Sequence, residues 1–123
     1  MEKQVKHFLK VLLIVFLIIV LFALIDYFIH SLSQEYSVPS YYFRNKIIFG
    51  TIIGLISLYF IKTKNIYIKS LMFSGIISIL LQIRYFIEGY SLKFVLEFLL
   101  FHFLILFVVS LIAFKIKQTS RFK

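Results

Sequence analysis

The chain has 123 residues, of which 62% are hydrophobic and 20% aromatic, and its formal net charge is +9. Soluble domains contain roughly 45–50% apolar residues, so this composition is typical of a membrane protein. The basic residues lie at the ends of apolar segments and not along one exposed stripe, which argues against nucleic acid as a partner. The sequence has no cysteine, which excludes disulfides, thiol nucleophiles and cysteine-ligated metal sites.

Four long apolar segments predict membrane-spanning helices at about residues 8–31, 43–61, 66–87 and 93–114. Each is close to the roughly 20 residues that an α-helix needs to cross about 30 Å of hydrocarbon. The predicted fold class is therefore all-α, a four-span transmembrane helical bundle that forms a single domain over residues 1–123. Because no small-residue cleavage site follows the first segment, we expect it to be retained and not removed as a signal peptide.

The basic residues also predict an orientation. Of the 14 Lys and Arg residues, ten lie in the N-terminal arm, between the second and third spans and in the C-terminal tail, and four lie elsewhere. Short segments rich in Lys and Arg face the cytoplasm, so we expect both termini there, in a plasma membrane. Four of the five acidic residues and most tyrosines fall on the outer side. The strong use of Ile, Phe, Lys and Tyr suggests a prokaryotic source with an AT-rich genome.

The first span carries Asp26 and His30 near its outer end, four residues apart and on one helical face. An ionisable side chain in hydrocarbon costs roughly 2.5–3.5 kcal/mol on insertion scales, so it usually faces the bundle interior and has a partner. Arg44 and Lys46 follow in the first connection, where they could hold an anionic head group or substrate. The alternative for Arg44 and Lys46 is simple anchoring in the interface.

Small residues repeat along one face of the second span and one face of the third. In lipid, close backbone approach at small residues drives helix association. The short connection between these spans favours contact within one molecule, and the alternative is a seam between two copies of the chain. The residues are Gly50, Gly54 and Ser57 in the second span and Ser70, Ser74 and Ser78 in the third.

Arg84 in the third span and Glu97 and His102 in the fourth approach the same leaflet as Asp26 and His30. These residues are predicted to line an outward-facing cavity that binds or passes an ion, a lipid head group or a small solute. In the alternative, Asp26 and Arg84 form an ion pair that only holds helices together. Glu97 and His102 are five residues apart, about 140° around a helix, so they cannot both point at one ion.

We therefore predict a small multi-pass membrane protein without enzymatic activity, cofactor or catalytic residues. Its expected partners are membrane lipids, a second copy of the chain or another membrane protein. The second hypothesis is an accessory or assembly subunit with no site of its own. The third is a membrane-embedded metalloenzyme that uses His30 and His102 with Asp26 or Glu97, but Asp-x-x-x-His is a weak signal and no bound metal is expected. The motifs identify neither a family nor a substrate.

Overall fold

The computed structural model of the protein describes residues 1–121, with side chains for residues 1–119. All four predicted helices are present, and all are long and apolar enough to span a membrane. This confirms the all-α fold class. A short 3₁₀ turn, Gln34–Tyr36, lies in the first connection. The helices are α1 (Glu2–His30), α2 (Tyr41–Phe60), α3 (Ile66–Ile87) and α4 (Leu92–Arg121).

The helix ends follow from local chemistry. α3 coincides with the prediction: the Asn65 side chain caps its start by accepting from the Tyr67 and Ile68 amides, and Gly89, with φ of 86°, follows its end. α2 begins two residues after Pro39. Its 20 residues reach about 30 Å, enough to cross the hydrocarbon, whereas the uninterrupted apolar residues 47–61 alone would be too short to do so.

The two longest helices extend beyond the predicted spans. α1 begins at Glu2 and α4 continues to Arg121, because the flanking segments consist mostly of residues that favour helix and contain no Gly or Pro. Two of the tail cations used to predict orientation, Lys123 and the side chain of Arg121, lie outside what the structure describes.

The helices form a bundle in which each contacts its chain neighbours and α4 also contacts α1. The connections at residues 31–40 and 88–91 lie at one end of the bundle, which we call the loop end. The N-terminus, the connection at residues 61–65 and the last turns of α4 lie at the other, which we call the terminal end.

The buried residues of each helix recur every three or four positions, which defines its inner face. In α1 this face includes Val15, Ile19 and Phe22. In α4 a buried residue occurs at every fourth position over five successive steps. These residues are Phe94, Phe98, His102, Leu106, Ser110 and Phe114.

Glycines allow α2 to approach α1 closely. A Cβ atom built on Gly54 would lie 2.8 Å from Val15 Cγ1 in α1 and 3.1 Å from a ring carbon of Phe73 in α3, and one built on Gly50 would lie 3.1 Å from Ile19 Cγ2 in α1. The three atoms nearest to each of these two positions belong to Ile19, Val15 and Phe73, and none of them belongs to a small residue of α3. Gly50 therefore packs on Ile19 of α1, and Gly54 packs on both α1 and α3 through Val15 and the Phe73 ring.

The small residues of α3 and the remaining one of α2 are buried as well. Ser57, Ser70, Ser74 and Ser78 are each at most 4% exposed. The Ser74 hydroxyl donates to the Ser70 carbonyl of its own helix at 2.6 Å, and the Ser57 hydroxyl donates to the Ile53 carbonyl at 2.7 Å. These two hydroxyls therefore satisfy themselves within their helices and do not link one helix to another.

Candidate functional site

Polar side chains from all four helices meet inside the bundle near the loop end, and we call this group the polar cluster. All of its members are at most 5% exposed, although they lie within segments that can span a membrane. The cluster consists of Asp26 and His30 from α1, Lys46 from α2, Gln82 and Tyr85 from α3, and His102 from α4.

Helical spacing places these side chains on the inner faces. Asp26 and His30 continue the buried stripe of α1 four and eight residues after Phe22. His102 occupies the third position of the buried series in α4. Lys46 lies four residues before Gly50, so it shares the face of α2 that packs against the other helices.

The Lys46 ammonium lies at the centre of the cluster. Its Nζ donates to Asp26 Oδ2 and lies 3.2 Å from His30 Nε2 and 3.4 Å from His102 Nε2. Ligand atoms of Asp26, His30 and His102 all lie within 4.8 Å of one another, as the ligands of one metal ion do. The ammonium therefore lies within 3.4 Å of one ligand atom from each of these three residues.

The first connection fixes the tautomer of His30. Its Nδ1 lies 2.5 Å from the Tyr36 carbonyl oxygen in the 3₁₀ turn, and because a carbonyl only accepts, Nδ1 carries the proton. Because the Lys46 ammonium only donates, Nε2 presents its lone pair to Lys46 Nζ at 3.2 Å, and the Tyr85 hydroxyl lies 3.3 Å from the same nitrogen. The ring stacks on Phe98 with centroids 4.1 Å apart. His30 is thus held as metal-ligating histidines are, with a carbonyl on one nitrogen and a lone pair on the other.

Gln82 sets the proton position on His102. Its Nε2 donates to His102 Nδ1 at 2.6 Å, so His102 carries its proton on Nε2 and donates to Asp26 Oδ1 at 2.9 Å. Gln82 Oε1 is buried and has no hydrogen-bond partner within the described residues. If the amide turned over, Oε1 would accept from a protonated Nδ1 and His102 Nε2 would become a free ligand. The amide therefore suits two protonation patterns of His102.

The predicted ion pair between Asp26 and Arg84 is wrong. Asp26 pairs with Lys46, and Arg84 Nε donates to Glu88 Oε1 at 3.1 Å on the partly exposed side of α3. The reason is helical geometry: Arg84 lies two residues after Gln82, about 200° around the helix, so it lies on a different side of α3 from Gln82.

Two further predicted residues lie outside the cluster. Glu97 is partly exposed and its carboxylate lies 3.9 Å from Lys93 Nζ, whereas His102 is fully buried, as their different helical faces require. Arg44 is exposed at the start of α2. Lys46, which was expected beside Arg44 at the head groups, instead points into the bundle.

The sequence interpretation missed the roles of Lys46, Gln82 and Tyr85 in this cluster. A usable signal existed for Lys46, because the spacing Lys46–Gly50–Gly54 places all three on one face. Gln82 and Tyr85 follow Ser78 at four and seven residues, which extends the buried face of α3. The position of Lys46 close to a span end was misleading, because it suggested a role at the membrane interface.

Comparisons of the chain with models of protein families, with curated proteins and with solved structures found no match.

Proposed function

We propose that this protein binds a cation in the polar cluster, in exchange for the Lys46 ammonium. The single observation that carries the proposal is the position of Lys46 Nζ, which donates to Asp26 and lies within 3.4 Å of His30 Nε2 and His102 Nε2. A cationic group already occupies the point where three potential metal ligands converge.

The donor set matches a transition-metal ion such as Zn²⁺. Two imidazole nitrogens and one carboxylate oxygen form a common three-residue ligand set, which leaves a fourth position open. Asp26 and Lys46 balance each other's charge while both histidines are neutral. A divalent ion would add two positive charges beside the ammonium, so Lys46 must leave when the ion enters. The ion and the ammonium therefore compete for one place.

The two histidines support this exchange in different ways. His30 already presents a lone pair on Nε2, because Nδ1 donates to the Tyr36 carbonyl. His102 would move its single ring proton from Nε2 to Nδ1, which keeps the imidazole neutral, and the turned Gln82 amide would then accept a hydrogen bond from Nδ1–H through Oε1. The only structural change needed on α3 is rotation of one amide.

The cost of the cluster also favours a function. Charged groups inside a membrane are expensive, and well-packed apolar residues often replace a buried ion pair without loss of stability. Ionisable residues in spans therefore usually mark a ligand or ion pathway.

We extend the proposal to a non-enzymatic, multi-pass protein of a prokaryotic plasma membrane with both termini in the cytoplasm. The cluster would then lie in the outer half of the membrane. With four helices per chain, passage of an ion would require a second copy.

A second candidate function is an accessory subunit in which the cluster only holds helices together. The observation that favours it is that Asp26, Lys46 and both histidines already have partners without any ligand. A metalloenzyme would use the same three ligands as the cation site and differs from it only in turning over a substrate.

The test is metal binding by the protein purified in mild detergent, measured by calorimetry with Zn²⁺ and by the visible spectrum with Co²⁺. We expect one ion per chain, and a loss of affinity in His30→Ala and His102→Ala of at least the roughly 10–100-fold that is typical when a partner of a metal ligand is removed. Lys46→Met should bind more tightly than the original chain, because it removes the competing ammonium.

His7→Ala is the matched control, since His7 is exposed at the terminal end. A loss in His7→Ala equal to that in His102→Ala would assign the metal to the surface. Absence of binding in the folded original chain and in Lys46→Met would reject the cation site and leave the accessory subunit as the better function.

A further inference from the structure

A cavity of about 240 Å³ lies between α2 and α3, on the side of Lys46 that faces away from α1 and α4. Its polar lining consists of Tyr42, Asn45, Lys46, Arg84 and Tyr85, and the rest is aliphatic or phenyl. None of the described residues that line it is acidic. We call it the lateral cavity. Two cationic side chains with no lining carboxylate make it suited to an anionic group.

The hydroxyl of Tyr42 is a second, independent sign of a ligand. Tyr42 is 2% exposed, and its hydroxyl has no hydrogen-bond partner within residues 1–119. A buried hydroxyl without a partner is unfavourable and needs an explanation. Its ring lies under the Arg84 guanidinium, which is 4.9 Å from the ring centroid. A residue with an unused donor therefore lines a cavity that two cationic residues also line.

Both cations retain the capacity to bind an anion. Arg84 donates one N–H to Glu88, and a guanidinium has five such donors in a planar fork. Lys46 donates to Asp26 on the opposite side of the cavity wall, and an ammonium has three donors. An anionic head group in the cavity could therefore bind Arg84 and Lys46 while their ion pairs with Glu88 and Asp26 stay intact.

The apolar part of the cavity reaches the surface that faces lipid. Phe49 and Leu80 line the cavity and are 51% and 43% exposed on the outside of the bundle. A volume of about 240 Å³ is below the roughly 300–1,000 Å³ of pockets that enclose drug-sized ligands. It fits a head group and the first carbons of one chain, while the remainder of that chain would lie along Phe49 and Leu80.

We infer that the lateral cavity binds an amphiphile with one acyl chain and an anionic head group, which enters from the surrounding membrane between α2 and α3. Arg84, Lys46 and the Tyr42 hydroxyl hold the head group. This inference does not rest on the cation site, and failure of metal binding would leave it standing.

The experiment is native mass spectrometry of the protein in mild detergent with four probes. Oleate and lysophosphatidylglycerol carry an anionic head group, whereas oleyl alcohol and lysophosphatidylcholine provide matched chains without net negative charge. We expect one bound molecule per chain and about tenfold tighter binding of at least one anionic probe than of its matched neutral probe. Preference for oleate identifies a carboxylate ligand, and preference for lysophosphatidylglycerol identifies a phosphate ligand.

Arg84→Gln and Tyr42→Phe should each weaken binding of the anionic probe several-fold. Tyr42→Phe should still fold, because the hydroxyl it removes has no partner in the free protein. Arg44→Gln is the matched control, because Arg44 is exposed at the start of the same helix and does not line the cavity. Equal binding of anionic and neutral probes, or equal losses in Arg44→Gln and Arg84→Gln, would overturn the inference.

Discussion

At the loop end of the bundle, Lys46 is 5% exposed and its ammonium lies against Asp26 between two histidines. At the terminal end, Lys64 is exposed, and Lys6 pairs with Glu2 while 71% and 84% of their side chains remain exposed. Both ends carry lysines close to an apolar segment. The difference shows that helical face, and not closeness to a span end, decides whether a lysine meets water or the bundle interior.

The two regions also differ in what holds the helices together. The loop end contains the polar cluster, in which charges balance each other out of water. The half of the bundle nearer the terminal end is held by apolar contacts among Val15, Gly54 and Phe73. A buried ion pair is sensitive to loss of one partner, whereas an apolar contact is sensitive to changes of volume. Substitutions of the two kinds should therefore separate the regions.

The largest effect is expected from Lys46→Met. The substitution keeps the length of the side chain but leaves the Asp26 carboxylate buried without its cation. Removing one partner of a buried pair costs about 3–5 kcal/mol, so the free energy of unfolding should fall by that amount. Reversible unfolding in mixed micelles, without added metal, measures it.

Two variants serve as controls for Lys46→Met. Lys64→Met changes an exposed lysine at the terminal end and should alter stability little. Asp26→Asn combined with Lys46→Met removes both charges and should recover much of the loss. Similar unfolding free energies for Lys46→Met and Lys64→Met would contradict the distinction between the two ends. If Arg84→Gln were as destabilising as Lys46→Met is expected to be, and adding Asp26→Asn recovered that loss, the ion pair between Asp26 and Arg84 predicted from the sequence would be supported instead.

The sequence was sufficient for the helices because apolar length is a local property. The bounds predicted for α3, residues 66–87, coincide with those of the helix, because Asn65 and Gly89 mark its two ends with local cap chemistry. The i, i+4 spacing also placed Asp26 and His30 together correctly, because both lie on one helix.

The partner of Asp26 could not be predicted in the same way. That choice depends on how α2 and α3 are rotated about their axes relative to α1, which is a property of the packed bundle. Counting charges near span ends treats Lys46 and Arg84 as equivalent, although the first faces inward and the second partly outward. The rotation of α3 also brought Gln82 and Tyr85 into the cluster, and the rotation of α4 that buries His102 leaves Glu97 outside.

A smaller effect is expected from Gly54→Ala in the apolar half. The added Cβ would lie 2.8 Å from Val15 Cγ1 and 3.1 Å from Phe73, and the β-branched valine has little freedom to move away. Overpacking of this kind typically costs about 1–3 kcal/mol, partly offset by the helix preference of alanine over glycine, about 1 kcal/mol. Thermal unfolding in detergent should show a net loss of stability.

Gly75→Ala is the matched control for Gly54→Ala. The nearest atom to a Cβ at Gly75 is a Phe103 ring carbon at 3.9 Å, an ordinary contact, so this variant should be neutral or slightly more stable. If Gly54→Ala were as stable as Gly75→Ala, close approach of α2 to α1 would not be what holds this half of the bundle.

The smallest effect is expected from Glu88→Gln. This variant tests whether the contribution of an ion pair to stability depends on its burial or only on its position at the loop end. Glu88 pairs with Arg84 at the same end of the bundle as the polar cluster, but these side chains are 35% and 40% exposed. Exposed pairs contribute about 0.2–1 kcal/mol, so Glu88→Gln should resemble Glu2→Gln at the terminal end and not Lys46→Met. Salt should reduce what little effect remains. A loss of stability in Glu88→Gln as large as that in Lys46→Met would mean that the loop end as a whole excludes water. It would contradict the conclusion that burial on the inner face distinguishes Lys46 from the other charged residues at that end.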